Sequence, residues 1–159
     1  MMCERAASRH TKGRPLGKMQ MVQDMIAESF TEIEAARMLV LRAAWKMDQG
    51  DDHGTSARAE ISMIKFYVPR LTTGIIDRAI QIHGALGYTT DMPLEGMYRS
   101  SRALRIADGA DEIHKQAMAR QLLKDVTPVP SWPSEHVPTR RAEAWKRFGD
   151  RIEAVRKLA

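Results

Sequence analysis

The hydrophobic positions of this chain recur by threes and fours along most of its length. From Leu16 to about Gln49, apolar or small residues stand at Met19, Val22, Ile26, Ile33, Ala36, Val40, Ala43 and Met47, the spacing of one helix face. Gly50, Asp51, Asp52, His53 and Gly54 break the pattern, as turn residues do. Thr55 or Ser56 then stands where a side-chain oxygen can cap a second helix by accepting from its free N–H groups. That helix carries Ile61, Ile64, Val68, Leu71, Ile75, Ala79, Ile82 and Leu86 as its seam. Pro69 lies inside it, where a missing donor and a ring clash predict a kink. Gly84 and Gly87 predict its end. Pro93 opens a third helix through about Ile106, and a fourth runs from about Ala110 to Lys124 with Ile113, Ala117, Met118 and Leu122 inward. No segment alternates as a strand does. Two long and two shorter helices predict an all-α fold, an antiparallel helical bundle.

The last quarter differs. Residues 126–138 read VTPVPSWPSEHVP, and four prolines there predict an extended linker. Thr139 is placed to cap a final helix whose apolar stripe is Trp145, Phe148, Ile152 and Val155 and whose other face is basic. The expected organisation is an N-terminal arm (1–15), a helical bundle domain (16–125), a Pro-rich linker (126–138) and a basic amphipathic helix (139–159). A chain of 159 residues is long enough for one core. Its 11 methionines suit irregular gaps between helices. The lone Cys3 excludes an internal disulfide and a cysteine zinc site, and His83 and His114 have no second ligand at metal spacing. No metal is expected. No apolar run reaches membrane-spanning length, and the start, MMCERAASRHTKGR, lacks the apolar core of a secretory signal. The net charge of +5 permits anionic partners, but no nucleic-acid recognition motif is present.

Three groups of residues can carry chemistry. Asp108 precedes Gly109-Ala110-Asp111, so it reads either as a helix N-cap or as a carboxylate base on a turn. Gln81, Gly84 and Gly87 surround a turn that reads either as a glycine helix stop or as backbone open to a phosphate. Arg9, with Lys12-Gly13-Arg14-Pro15-Leu16, reads by itself as a basic N-terminal arm.

The run from Gln81 to Arg120, with ALRIADGADEIH at its centre, resembles the C-terminal helical domain of the flavin-dependent acyl-CoA dehydrogenases, in a subgroup with Asp in place of the usual Glu base. The resemblance spans about Ala7 to Lys124. It implies α,β-dehydrogenation of acyl-CoA thioesters with Asp108 as the α-proton base. It implies FAD contacts from Arg9, Gln81, Gly84, Gly109 and Glu112, partly to the FAD of a neighbouring subunit. Some positions depart from the family pattern: Ala85 stands for a glycine, Lys12 for a phenylalanine and Ala110 for a threonine. The family's preceding helical domain and central β-domain have no counterpart here, so the first Met is read as a downstream start, a truncation or a split subunit. The expectation is an incomplete enzyme, inactive alone. It would bind FAD only with the missing domains or a partner subunit, and would associate with itself or with the chain that supplies the flavin domain. Expected localisation is cytoplasmic, or the mitochondrial matrix or peroxisome in a eukaryote. The alternative is a non-catalytic helical assembly module derived from the same fold.

Overall fold

A computed structural model describes residues 1–50, 54–127 and 138–158, with the side chains of residues 138 and 139 outside that description. The helices are α1 (Met2–Ser8), α2 (Gln20–Asp48), α3 (Arg58–His83), α4 (Ala85–Tyr88), α5 (Leu94–Ala103), α6 (Asp111–Leu123) and α7 (Pro138–Arg156). The chain divides into two compact units, Met1–Lys124 and Asp125–Ala159. The second contains α7.

In the first unit α3 is the central element: α1, α2, α4, α5 and α6 all pack on it. Its small and apolar seam explains this. Ile76, Ala79 and Ile82 are buried, and Ile61, Ile64, Val68, Leu71 and Ile75 are half-buried. Pro69 is also buried, and α3 continues through it. The ring removes one backbone donor. The Thr72 and Thr73 hydroxyls donate to the carbonyls of Val68 and Pro69 at 2.9 Å, within the same turns.

Ion pairs fix α2 against α3. Arg78 donates to the Glu32 carboxylate at 2.6 and 3.1 Å and to Ser29 Oγ at 3.3 Å, with Glu28 at 3.3 Å. At the other end, Lys46 donates to both Glu60 oxygens at 2.9 and 3.0 Å. Pairing 46 with 60 and 32 with 78 makes the two helices antiparallel. Hydrogen bonding to Glu32 holds the Arg78 guanidinium above its ordinary range, against the opposing effect of burial. Burial pushes the Glu60 carboxyl up. The Lys46 hydrogen bonds, a backbone N–H and the charges of Lys46 and Arg42 outweigh burial and leave the carboxyl below its ordinary range. A carboxyl with a depressed folded pKa adds stability above its unfolded pKa, about 4.3 for Glu, and that stability is lost as pH falls through the folded value. Acid titration of the urea midpoint is therefore expected to show a loss below about pH 4.3 that is smaller in Glu60→Gln. Identical acid profiles would show that the pair does not contribute.

Several boundaries differ from the sequence reading. The residues read as an arm hold α1 and a two-stranded antiparallel ribbon, β1 (His10–Thr11) and β2 (Arg14–Pro15). A short 3₁₀ turn, Leu16–Lys18, precedes α2, which starts at Gln20 rather than Leu16 because Met19 is extended. Gly17 explains the close approach there: a Cβ would stand 3.2 Å from the Ala6 carbonyl oxygen. The cap of α3 falls on Ala57, not on Thr55 or Ser56. α5 ends at Ala103, not Ile106. On α6, Ile113 and Leu122 are exposed rather than inward, as are Ile33, Val40 and Met47 on α2. Periodicity marks the apolar side of a helix, but only neighbours cover it, and α2 has α3 as its one long neighbour. Residues 51–53, most of the Pro-rich segment and the Thr139 cap lie outside the described residues.

Candidate functional site

The turn between α5 and α6 is built from local hydrogen bonds. The Ile106 and Ala107 N–H groups donate back to the Ala103 carbonyl at 3.0 and 2.9 Å, and the Asp111 N–H donates to the Arg105 carbonyl at 3.1 Å. Arg105 Nε donates to Asp111 Oδ2 at 2.8 Å, closing the loop with an ion pair whose acid is 2% exposed. Inside this clasp Asp108 has φ +55° and Gly109 φ +105°. Asp is among the few side chains that tolerate the left-handed region. The φ of Gly109 is what favours glycine there; an added Cβ would also stand 2.8 Å from His114 Nε2, the tip of a side chain that can turn aside. That nitrogen also lies 3.3 Å from the Asp108 carbonyl oxygen.

The N-cap of α6 is Ala110, without a side-chain cap. Asp108 is thus not the cap that local sequence allowed. Its carboxylate is 90% exposed and reaches Lys65 Nζ on α3 at 3.5 Å. Gly109 and Glu112 belong to the same turn and the first turn of α6, with Glu112 exposed.

A second site lies at the other end of α3. Gly84 ends the helix with φ +66°, and α4 follows at once. Gly87, expected to mark the helix end, is buried inside α4. A Cβ there would meet His83 Cβ at 2.8 Å and the Ile80 carbonyl oxygen at 2.9 Å, so only glycine lets α4 fold back on α3. His83, the last residue of α3, is buried, its Nδ1 2.7 Å from the Ala79 carbonyl oxygen. A cavity of about 360 Å³ opens here, with Arg5, Arg9, Gln81, Gly84 and Ala85 in its wall. The fold therefore brings Arg9 to Gln81 and Gly84, more than seventy residues away in sequence. It adds Arg5, one amine of which donates to the His83 carbonyl at 3.4 Å. Arg5 Nε is buried with no partner. A cavity with two guanidinium groups, one donor unmatched and a glycine turn is suited to an anion such as a dinucleotide pyrophosphate. Among the described residues, no group of three or more His, Cys, Asp or Glu could hold a metal ion.

Residues 1–123 match the family model of the acyl-CoA dehydrogenase C-terminal domain. The chain belongs to the acyl-CoA dehydrogenase family. It is 46% identical over 121 residues to "Probable acyl-CoA dehydrogenase FadE2" of Mycobacterium tuberculosis, covering 76% of this chain and 29% of that protein. Among solved structures, it is similar to the acyl-CoA dehydrogenase of Geobacillus kaustophilus, with a TM-score of 0.71 and 28% identity over 79% of this chain and 31% of that one. It is also similar to PigA in its FAD complex, with a TM-score of 0.70 and 30% identity over 76% of this chain and 30% of that one. The chain thus spans under a third of each of these relatives.

Sequence reasoning missed Lys65, Arg5, Arg105 and Asp111 as parts of these sites. Lys65 sits on a helical repeat that reads as an ordinary solvated face, and Arg5 lies in residues read as an arm. Arg105 and Asp111 are six residues apart, and only the turn between them makes them neighbours.

Proposed function

We propose that this chain is the C-terminal part of an FAD-dependent acyl-CoA dehydrogenase, with Asp108 as the base for the α-proton of an acyl thioester. The observation that carries this reading is the Asp108 carboxylate: it is held on a left-handed turn, is not used as a helix cap, and is exposed beside Lys65. An α-proton beside a thioester is weakly acidic, so its removal needs a positioned carboxylate. The Asp108 oxygen takes that proton while the bond electrons begin the α,β double bond. A bound flavin would supply the oxidant that accepts the β-hydrogen with its electron pair. Lys65 orients the waiting carboxylate, and the Arg105–Asp111 clasp fixes the height of the turn. Arg5, Arg9, Gln81 and the Gly84 backbone would hold the pyrophosphate of an FAD, with Gly109 and Glu112 as further contacts near the base.

The chain's own residues form one wall of this site, so the remaining parts must come from elsewhere in a longer protein or from a partner. The purified chain is expected to be colourless and silent. Supplying the flavin-binding remainder of the enzyme, fused or as a separate chain, is expected to give bound FAD and acyl-CoA-dependent dye reduction. Stoichiometric flavin or turnover with this chain alone would refute the incomplete-site reading.

A second reading, a non-catalytic assembly module, draws on the α2–α3 surface. Ala35, Met38, Leu39, Met63 and Tyr67 line an apolar groove of about 510 Å³, with Arg42 at its edge. Phe30, Leu41 and Trp45 are also exposed on α2. Exposed apolar area of this kind marks an association surface, so sedimentation is expected to show self-association, and a clean monomer would count against it. Both readings share that outcome. An in-frame coding region for a flavin domain upstream would favour the enzyme, and an unrelated gene there the module.

A further inference from the structure

Residues 140–157 carry seven Lys or Arg against three acids, so four of the chain's five net positive charges lie on α7 and its end. Their arrangement is not uniform. At about 100° per residue, Ala144, Trp145, Phe148, Ile152 and Val155 fall in one sector about 100° wide. Arg140, Arg147 and Arg151 follow one border of that sector and Arg156 the other, while Arg141 in the first turn falls inside it and Lys146 and Lys157 lie on the side of the acids. Glu143, Asp150 and Glu153 all lie on the opposite side, where Glu143 pairs with Arg147 at 3.3 Å. The acids are thus kept away from the apolar sector, and arginines flank it.

Of these apolar side chains Phe148 and Val155 are exposed, and Ala144, Trp145 and Ile152 are half-buried. Phe148 is 50% exposed, and Val155 and Leu158 more so. The Trp145 ring lies along the helix over Gly149, where an added Cβ would stand 3.3 Å from Trp145 Cε3. The Arg156 guanidinium lies over the same ring at 5.6 Å. An indole flat on the helix beneath a guanidinium is amphipathic at the level where an apolar layer meets charge.

We propose that α7 is a peripheral membrane helix that lies in the headgroup layer of an anionic lipid surface. Its apolar sector would sit among the upper acyl chains, and Arg140, Arg147, Arg151 and Arg156 would reach lipid phosphates along its borders. The charge pattern favours this occupant over others. No described helix is long and apolar enough to cross a membrane, so α7 lies on the surface rather than spans it. Trp145, Phe148, Ile152 and Val155 make only two heptads, short of the three or four a coiled coil needs. A nucleic-acid helix needs the basic groups without the apolar sector.

The full chain is tested by cosedimentation with phosphatidylcholine vesicles, with and without phosphatidylserine, and by Trp145 emission in a Trp45→Phe, Trp132→Phe background. Binding is expected only with phosphatidylserine, with a blue shift of Trp145 and loss at high salt. Arg147→Gln and Arg151→Gln should each weaken partitioning about fivefold. Phe148→Asp should abolish it while circular dichroism shows the helices retained. Equal binding to both vesicle types, no binding, or an unshifted Trp145 would overturn the proposal. Binding to duplex DNA that survives Phe148→Asp would assign the helix to nucleic acid instead. Self-association lost in Phe148→Asp, without vesicle binding, would assign it to a second copy.

Discussion

Asp108→Asn is expected to lower turnover by about 10²–10⁴-fold in an enzyme completed with its flavin-binding remainder, the usual cost of removing a general base. Flavin retention and acyl-CoA affinity should survive, because the amide keeps the size of the carboxylate. Stability should change little. Asn adopts the left-handed conformation at least as readily as Asp, and Asp108 caps no helix. The substitution removes one exposed ion pair, with Lys65 at 3.5 Å, worth at most about 1 kcal/mol. Asp77→Asn, an exposed acid on α3, is the matched control. The neighbouring Asp111 cannot serve, since it is buried and paired with Arg105. Equal, small effects of Asp108→Asn and Asp77→Asn on rate would remove Asp108 from the mechanism.

Arg105→Met is expected to destabilise the first unit by about 3 kcal/mol, the lower end for breaking a buried ion pair. The lower end applies because the Arg105 side chain is itself one-third exposed. The cost comes from the acid left behind. Asp111 is almost fully enclosed, and its Oδ1 already has no hydrogen-bond partner. Removing Arg105 strips the other oxygen too. Denaturant unfolding should show this as a lower midpoint with unchanged slope. Adding Asp111→Leu should recover part of the stability, since the stranded charge is then gone, and the double-mutant cycle reads the coupling directly. If the loss in the double variant equals the sum of the losses in Arg105→Met and Asp111→Leu alone, the pair is not coupled. A completed enzyme carrying Arg105→Met should also turn over more slowly, because the same clasp holds the turn that carries Asp108.

Much of the helical plan was legible in the sequence because burial imposes a period. The seam from Ile61 to Ile82 could be read before any packing was known, since α3 is buried on several sides and few polar residues are tolerated there. The α6 start, within a residue of Ala110, was equally legible from Gly109 and the acids after it. The same pattern misjudged Ile33, Val40, Ile113 and Leu122, whose periodicity is real but whose neighbours are absent from these residues. The N-terminal ribbon was hidden because two-residue strands leave no alternation to detect.

The motifs followed the same division. ALRIADGADEIH by itself determined the family and nominated Asp108, because a short run with Asp-Gly between two helices is distinctive in residue type and spacing. It could not decide between cap and base, which depends on backbone angles: φ +55° at Asp108 and the cap at Ala110 settle that Asp108 is not the cap. Nor could it bring Arg5 and Arg9 to Gly84, since their meeting requires α1 to pack on α3 across more than seventy residues of chain. Residue type and local spacing determined the helices, the family and the candidate acid. Tertiary structure alone decided which charges are enclosed, which are paired and which face open solvent, because burial and pairing are set by packing between segments distant in sequence.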